Sequence, residues 1–293
     1  MNGMIRRAGI VGAGTMGRIT AFLFTRAGID TTVLGRTEEK LRSLTAAVRS
    51  LLSGRVPEDA VERTMARLQL TTHLEECALG AELVLELVPE KLEVKREVMA
   101  AIGRAASETA IVASGASAIP PSWLAPSLPR PKRLVSLNFS GPDDLKVDVM
   151  GHPGTDPEVF ARAVGLVRQL GLVPIPVSGE LVGYTINRVW RAVKKECFFL
   201  VERGHSTPEL IDRGFRAEFG VPLGPFAIMD RVGLDVILDV ERVYFQASRE
   251  ERDRPPKLLE EMVAAGKLGE KSGEGFYRYP DPAWARPGFL KGE

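Results

Sequence analysis

Apolar residues follow two rhythms along this chain. Up to about residue 179, short apolar runs of strand length alternate with stretches whose apolar positions recur at helical spacing. The runs lie at 8–11, 31–34, 83–88, 110–114, 133–139, 147–150 and 173–177, the third stopped by Pro89. Helical spacing is readable up to Phe24 and Arg26, over 91–103 and over 157–170. It also covers 37–70, where Leu41, Leu44, Val48, Leu51 and Leu52 share a face. Five prolines between Pro120 and Pro131 exclude one regular helix there and leave room for a short one at 122–125. Past Gly183 the pattern is mostly helical, with apolar runs at 186–202 and 226–240. Strands alternating with helices predict an α/β fold: a doubly wound, largely parallel sheet, followed by a helical domain. We place the domains at 1–179 and 180–293, with no internal repeat.

Composition narrows the class. With 293 residues, 44% hydrophobic and 26% charged, the chain can bury a substantial core. The 39 Lys and Arg against 38 Asp and Glu lack the basic excess of a nucleic-acid binder, so no nucleic-acid partner is expected. Cys77 and Cys197 alone make neither a disulfide framework nor a zinc site, and they suit a reducing cytoplasm. No apolar run approaches membrane-spanning length. Arg6 and Arg7 precede a glycine-rich stretch rather than a signal-peptide apolar region, so no leader is expected.

The first run leads into Gly12-Ala13-Gly14-Thr15-Met16-Gly17, then a helical stretch, then the second run. That is strand–GxGxxG–helix–strand, the arrangement that holds a dinucleotide. Gly12 permits the tight turn, Gly14 lets backbone approach a pyrophosphate, and Gly17 lets helix and strand pack closely. The N–H groups of Thr15 and Met16, at the helix start, face the phosphates.

The end of the second strand bears on which dinucleotide fits. An NAD site usually has Asp or Glu there, about twenty residues on, to accept from the ribose hydroxyls. Here Leu34-Gly35-Arg36-Thr37 follows Gly14 by 21 residues at Gly35. Gly35 brings no carboxylate to repel a 2′-phosphate, Arg36 brings a planar guanidinium, Thr37 a hydroxyl, and Lys40 lies near. The plainer reading makes Arg36 a solvated loop residue. NADP is favoured, with NAD as the alternative.

Several segments together resemble the short-chain L-3-hydroxyacyl-CoA dehydrogenase family over nearly the full length. They are 11–17, Leu85-Glu86-Leu87-Val88-Pro89-Glu90 running on to Val94-Lys95, Ala113-Ser114-Gly115-Ala116-Ser117, and Gly183-Tyr184-Thr185-Ile186-Asn187-Arg188. Segments 224–235 and 269–277 match in the second half. The resemblance implies a Rossmann-like domain, a helical domain that dimerises, and an active site in the cleft between them. It adds Glu90, Lys95 and Ser117 to the cofactor-binding set. The family moves a hydride between nicotinamide and the 3-carbon of an acyl-CoA. It uses a histidine base steadied by a glutamate, with a serine and an asparagine binding the reacting oxygen. By position the serine is Ser117, the asparagine is Asn187, and the glutamate falls on Asp148 with one residue deleted. The histidine falls on Asn138, and a downstream family asparagine falls on Gly141.

Asn138 can donate and accept hydrogen bonds but cannot take a proton. His73, His152 and His205 all read as surface residues. On the helix starting near Ile186, Asn187, Arg191, Lys194 and Lys195 share a face or its edge. Lys194 is a candidate proton donor, its pKa lowered by burial and by neighbouring cations. Equally, these cations bind an anionic substrate group, or form a solvated face paired with Glu196 and Glu202. Tyr184, Asp143 and Asp144 are further candidates for a displaced acid.

The segment 50–57 stands where the family has a longer, lysine-rich helical excursion that helps hold CoA, and only Arg55 and Arg63 are nearby cations. A CoA thioester, a carrier-bound thioester and a free small substrate all stay open. The expectation is a cytoplasmic, homodimeric, NADPH-dependent reductase of a C=O group. A C=N reductase and a catalytically silent nucleotide-binding protein are the alternatives.

Overall fold

The computed structural model describes residues 4–143 and 145–292. It divides into two compact units, Met1–Thr185 and Ile186–Glu293.

The first unit is built on one eight-stranded sheet, ordered β3-β2-β1-β4-β5-β6-β7-β8. Its strands are β1 (Arg7–Val11), β2 (Asp30–Leu34), β3 (Leu68–Thr71), β4 (Leu83–Glu86), β5 (Ile111–Ser114), β6 (Leu134–Asn138), β7 (Lys146–Gly151) and β8 (Val173–Pro176). Each of β4, β5 and β6 is buried along its whole length, which is why these strands read as continuous apolar runs. The order reverses at β1, which pairs with β2 on one side and β4 on the other. That switch point is where an open α/β sheet leaves a crevice beyond its strand ends. Helices α1 (Thr15–Arg26), α2 (Glu38–Leu52), α3 (Glu58–Met65), α4 (Leu74–Ala78), α5 (Leu92–Ala105), α6 (Pro121–Leu124) and α7 (Pro157–Gln169) accompany the sheet.

Two departures from the sequence pattern have local causes. The helical rhythm over 37–70 hides a break: Gly54 takes φ +76°, Pro57 precedes α3, and Leu68-Gln69-Leu70-Thr71 becomes the edge strand β3. A four-residue edge strand is too short for alternation to outweigh the helical stretch before it. The second departure is β7, which pairs antiparallel with β6. A parallel return needs a crossover of a dozen or more residues, and the connection 139–145 is too short for one. The reversal sets Asn138 directly across from Asp148.

The second unit is helical: α8 (Thr185–Glu202), α9 (Pro208–Phe219), α10 (Pro225–Val232), α11 (Leu234–Ser248) and α12 (Lys257–Ala264). Its core gathers Phe198, Phe226 and Phe276, with ring centroids 4.5–6.1 Å apart. Buried Asp212 accepts from the N–H groups of Phe226 and Ala227 at 2.8 and 2.9 Å, so a side chain of α9 satisfies the free start of α10. Among the described residues no helix is long and apolar enough to cross a membrane.

Candidate functional site

The turn after β1 is dictated sterically. Gly12 takes φ +128°, and a Cβ there would stand 2.6 Å from the Leu87 carbonyl oxygen. A Cβ on Gly17 would overlap the Gly12 carbonyl, so only glycine lets α1 start this close to β1. Beside Gly14 a Cβ would meet nothing within 4 Å. That open side faces a cavity of about 690 Å³ lined by Gly12, Gly14, Thr15, Met16, Leu87 and Pro89, among others. It lies over the switch point and opens onto the start of α1, whose first N–H groups have no partner within the helix.

The far end of this cavity is cationic. Its lining includes Arg18, Gly35, Arg36 and Lys40 and contains no carboxylate. Arg36 and Lys40 are exposed. Arg18 is half-buried, and its Nη2 donates to Ser43 Oγ at 3.0 Å. Thr37 caps α2, its Oγ1 accepting from Lys40 N at 3.3 Å, and it is not part of the lining. A Cβ on Gly35 would stand 2.6 Å from Leu41 Cδ2, so glycine here serves packing as well as charge.

A buried ionic network connects the ends of β4 and β5. Glu86, fully buried, accepts from Lys95 Nζ at 2.8 and 3.2 Å, from Ser114 Oγ at 2.7 Å and from Val88 N at 2.6 Å. Lys95 also donates to the Val88 carbonyl at 3.1 Å and lies 3.4 Å from Glu90 Oε2. The other Glu90 oxygen accepts from the N–H groups of Ser117, Ala118 and Ile119 at 2.9, 2.9 and 3.3 Å. Glu90 thus clamps the loop that carries Ser117, and Lys95, only 1% exposed, braces Glu90 from beneath.

At the end of β6 the Asn138 amide reaches Ser117 Oγ at 3.5 Å, a long hydrogen bond that holds the two side chains together. Asp148, across the ladder and fully buried, takes an ion pair from Lys146 through Oδ2, while no hydrogen bond reaches Oδ1. Ser117, Asn138 and Asp148 therefore form one polar cluster without a histidine. His152 Nε2 is 2.8 Å from the Pro131 carbonyl oxygen and its Nδ1 accepts from Gly154 N, while His73 and His205 are exposed.

The proposed substitute acids fare unequally. Buried Tyr184, at φ +58°, donates its hydroxyl to the Ala116 carbonyl at 2.7 Å. Burial pushes its pKa upward, so its proton is held rather than offered. Asp143 is exposed and bound bidentately by Arg55 at 2.9 and 3.1 Å, and that hydrogen bonding holds it below the usual carboxylate range. Asp144 lies outside the described residues. Arg63, the other cation near the 50–57 segment, pairs with Asp59.

In the second unit, Arg191 is committed to Glu241 and Asp253, each at 2.7 Å. Lys195 donates to the Arg254 carbonyl and lies 3.8 Å from Glu241. Arg191 and Lys195 of α8 thus find their ion-pair partners on α11 and the turn after it, and among the described residues neither pairs with Glu196 or Glu202. Lys194 is 6% exposed, and among the described residues no ion pair or hydrogen bond is recorded for its Nζ. Burial lowers its pKa, Glu241 opposes that, and Arg191 adds to it. Asn187 is half-buried, on the first turn of the same helix.

Arg18, Ser43, Lys146 and the Glu86–Lys95 pair escaped the sequence reading. A carboxylate inside the apolar run of β4 was the readable signal for Glu86. Arg18, directly after the GxGxxG, was the signal for a third cation.

Comparison with known proteins follows this division. The family description "3-hydroxyacyl-CoA dehydrogenase, NAD binding domain" matches residues 7–181, and the C-terminal domain of the same family matches residues 183–279. A probable 3-hydroxybutyryl-CoA dehydrogenase of Deinococcus radiodurans is 31% identical, covering 92% of this chain and 99% of its own. A 5-formyl-3-hydroxy-2-methylpyridine 4-carboxylate 5-dehydrogenase of Mesorhizobium japonicum is also 31% identical, over 94% and 91%. The crystal structure of (S)-3-hydroxybutyryl-CoA dehydrogenase from Ralstonia eutropha superposes with a TM-score of 0.88 at 30% identity, over 94% and 100%.

Proposed function

Because the chain belongs to the 3-hydroxyacyl-CoA dehydrogenase family, with its nicotinamide dinucleotide-binding domain, we propose that it is an NADPH-dependent reductase of a carbonyl group. The observation that carries the cofactor choice is the cavity lining: Arg18, Arg36 and Lys40 with no carboxylate. A ribose diol is bound by an acceptor, whereas a 2′-phosphate needs cations and is repelled by a carboxylate. The cavity volume and the bare backbone at Gly14 and Thr15 fit a dinucleotide. When bound, NADPH supplies the hydride.

The protein's part is to hold the reacting oxygen and deliver a proton. We assign Ser117 Oγ and the Asn138 amide to that oxygen, with Glu90 and Lys95 keeping the Ser117 loop in place. In the helical unit we propose Asn187 as a substrate-binding residue and Lys194 as the proton donor. Desolvation favours the neutral amine, so Lys194 gives up its proton more readily than an exposed lysine. Asp148, ion-paired with Lys146, stands across the ladder from Asn138 and brings a buried negative charge to that end of the sheet. Asn138 moves no proton in either direction, so proton transfer falls to Lys194, and reduction is favoured because cells keep NADPH reduced.

The substrate is a small or thioester-bound carbonyl compound. The relatives' names span both kinds, a CoA thioester and a pyridine carboxylate. Arg55 and Arg63, paired within the unit, offer no open cation for a CoA phosphate. We further propose a homodimer in the cytoplasm, built on the helical unit. Ile186 and Val189 of α8, Val232 of α10 and Val236 of α11 are exposed, whereas Cys197 and Phe198 belong to that unit's core.

The test is titration of NADPH and NADH, followed by NADPH consumption across ketones, 3-oxoacyl thioesters and cyclic imines. Tighter NADPH binding and turnover of a carbonyl compound are expected. Equal cofactor affinity would remove the NADP assignment. Turnover of imines alone would replace the carbonyl by C=N, and NADPH left unconsumed across the whole panel would leave a silent binding protein.

A further inference from the structure

Arg18 differs from the other two cations of the cofactor cavity. Arg36 and Lys40 stand exposed on the turn after β2 and the first turn of α2, and among the described residues no side-chain partner is recorded for either. Arg18 grows from α1, directly after Gly17, whose missing Cβ presses the helix onto the β1 turn. Its backbone is therefore fixed relative to the sheet. Its side chain turns toward α2, where Nη2 donates to Ser43 Oγ at 3.0 Å. Its Nε is buried and has no hydrogen-bond partner. A guanidinium is always charged, and a buried N–H without an acceptor is costly. No carboxylate lines the cavity to neutralise it.

Resting on the NADP reading above, we propose that Arg18 is a specificity-determining residue of this site. Its guanidinium, tethered by Ser43, is the pre-oriented ligand of the adenosine 2′-phosphate, and Arg36 and Lys40 close on the same group from the loop side. The orientation argues for this phosphate rather than the pyrophosphate. The tether runs to α2, the helix that follows the turn bearing Gly35 and Arg36, whereas the pyrophosphate position lies against Gly14 and the N-terminus of α1. A guanidinium held in place loses less freedom on binding than an exposed one, so Arg18 contributes more discrimination than Arg36.

The experiment is equilibrium titration of NADPH and NADH by nucleotide fluorescence, read as the ratio of the two dissociation constants. Wild type is compared with Arg18→Gln, Arg18→Lys, Ser43→Ala and Arg36→Ala. Thermal melting of each variant shows that it is folded. The ratio should fall at least tenfold in Arg18→Gln, about threefold in Ser43→Ala, and less in Arg36→Ala than in Arg18→Gln. Arg18→Lys should fall between wild type and Arg18→Gln, since it keeps charge but not the fork. A wild type that favours NADPH, with Arg18→Gln keeping that ratio, overturns the role of Arg18 and leaves the NADP reading intact. A wild type without preference overturns both. Equal weakening of both nucleotides by Arg18→Gln moves Arg18 to the pyrophosphate and overturns the inference. If Arg18→Gln does not fold, an unchanged ratio in Ser43→Ala and Arg18→Lys overturns it equally.

Discussion

The two ends of the sheet's carboxyl edge have been treated differently. At the β1–β4 end the glycine turn is held by steric necessity at Gly12 and Gly17, and the cavity beside it is lined by Arg18, Arg36 and Lys40 with no carboxylate. At the β6–β7 end Asn138 and Ser117 share a hydrogen bond and Asp148 stands across the ladder from Asn138. One end is defined by backbone sterics and positive charge. The other is defined by neutral hydrogen-bonding groups near a buried carboxylate. Between them the Glu86–Lys95–Glu90 network ties the β4 turn to the Ser117 loop, so the ends share a mechanical support but not a chemistry.

The largest expected effect breaks that support. Lys95→Met leaves the Glu86 carboxylate buried without its cation, and removing one partner of such a pair costs about 3–5 kcal/mol. Urea unfolding checks this, and Glu86→Gln combined with Lys95→Met should recover part of the loss. A cost under ~1 kcal/mol would mean that water reaches Glu86.

Next comes the reaction end. Lys194→Met should lower turnover about 10²-fold, the usual scale for a positioned acid. Asn138→His should restore little oxidation of 3-hydroxybutyryl-CoA although Asp148 Oδ1 is open to a ring, because Asn138, Gly141 and the Gly35-Arg36 turn depart together from the dehydrogenase pattern and one ring does not restore the rest. Vigorous acyl-CoA oxidation by Asn138→His, with Lys194→Met unimpaired, would show a dehydrogenase that merely lost its base.

At the cofactor end, wild type should bind NADPH at least tenfold more tightly than NADH, about 1.4 kcal/mol. Arg36→Ala should narrow that gap, measured by titration. A Gly35→Asp variant would confuse the answer, since its side chain meets Leu41 before any ribose.

The smallest effect is in the pH dependence of stability. The folded state holds Lys194 below its ordinary value of 10.5, chiefly by burial. Below its folded pKa the lysine is charged in both states and the burial penalty is fully present. Between the folded pKa and 10.5 the unfolded chain binds more protons, so this group makes stability rise with pH. Above 10.5 its contribution is level. Lys194→Met should flatten that rise in a series of thermal melts, and an unchanged slope would mean that Lys194 is not desolvated.

Much of this was readable before any coordinates. The glycine turn, the alternation of strands and helices, the cationic turn after β2 and the asparagine at 138 all follow from local residue choice. Local rules failed where the deciding contact was distant in sequence. The edge strand β3 is made a strand by pairing with β2, not by its own four residues. Candidate acids looked alike in sequence, yet Asp143 is bound by Arg55 and Tyr184 by the Ala116 carbonyl.

What the amino-acid order alone determined is the class of fold, the glycine turn after β1 and the residue types at 35–37 and 138, because each depends on backbone geometry or residue type at adjacent positions. Only the tertiary structure decided which charges are satisfied. Arg191 meets Glu241 fifty positions away, and Arg55 meets Asp143 across 88. Arg18 is aimed at α2, 25 positions on, with its buried Nε–H left unpaired among the described residues. A charge is neutralised by whatever lies within a few ångströms, and in a doubly wound sheet those neighbours are set by strand order and packing rather than by position along the chain.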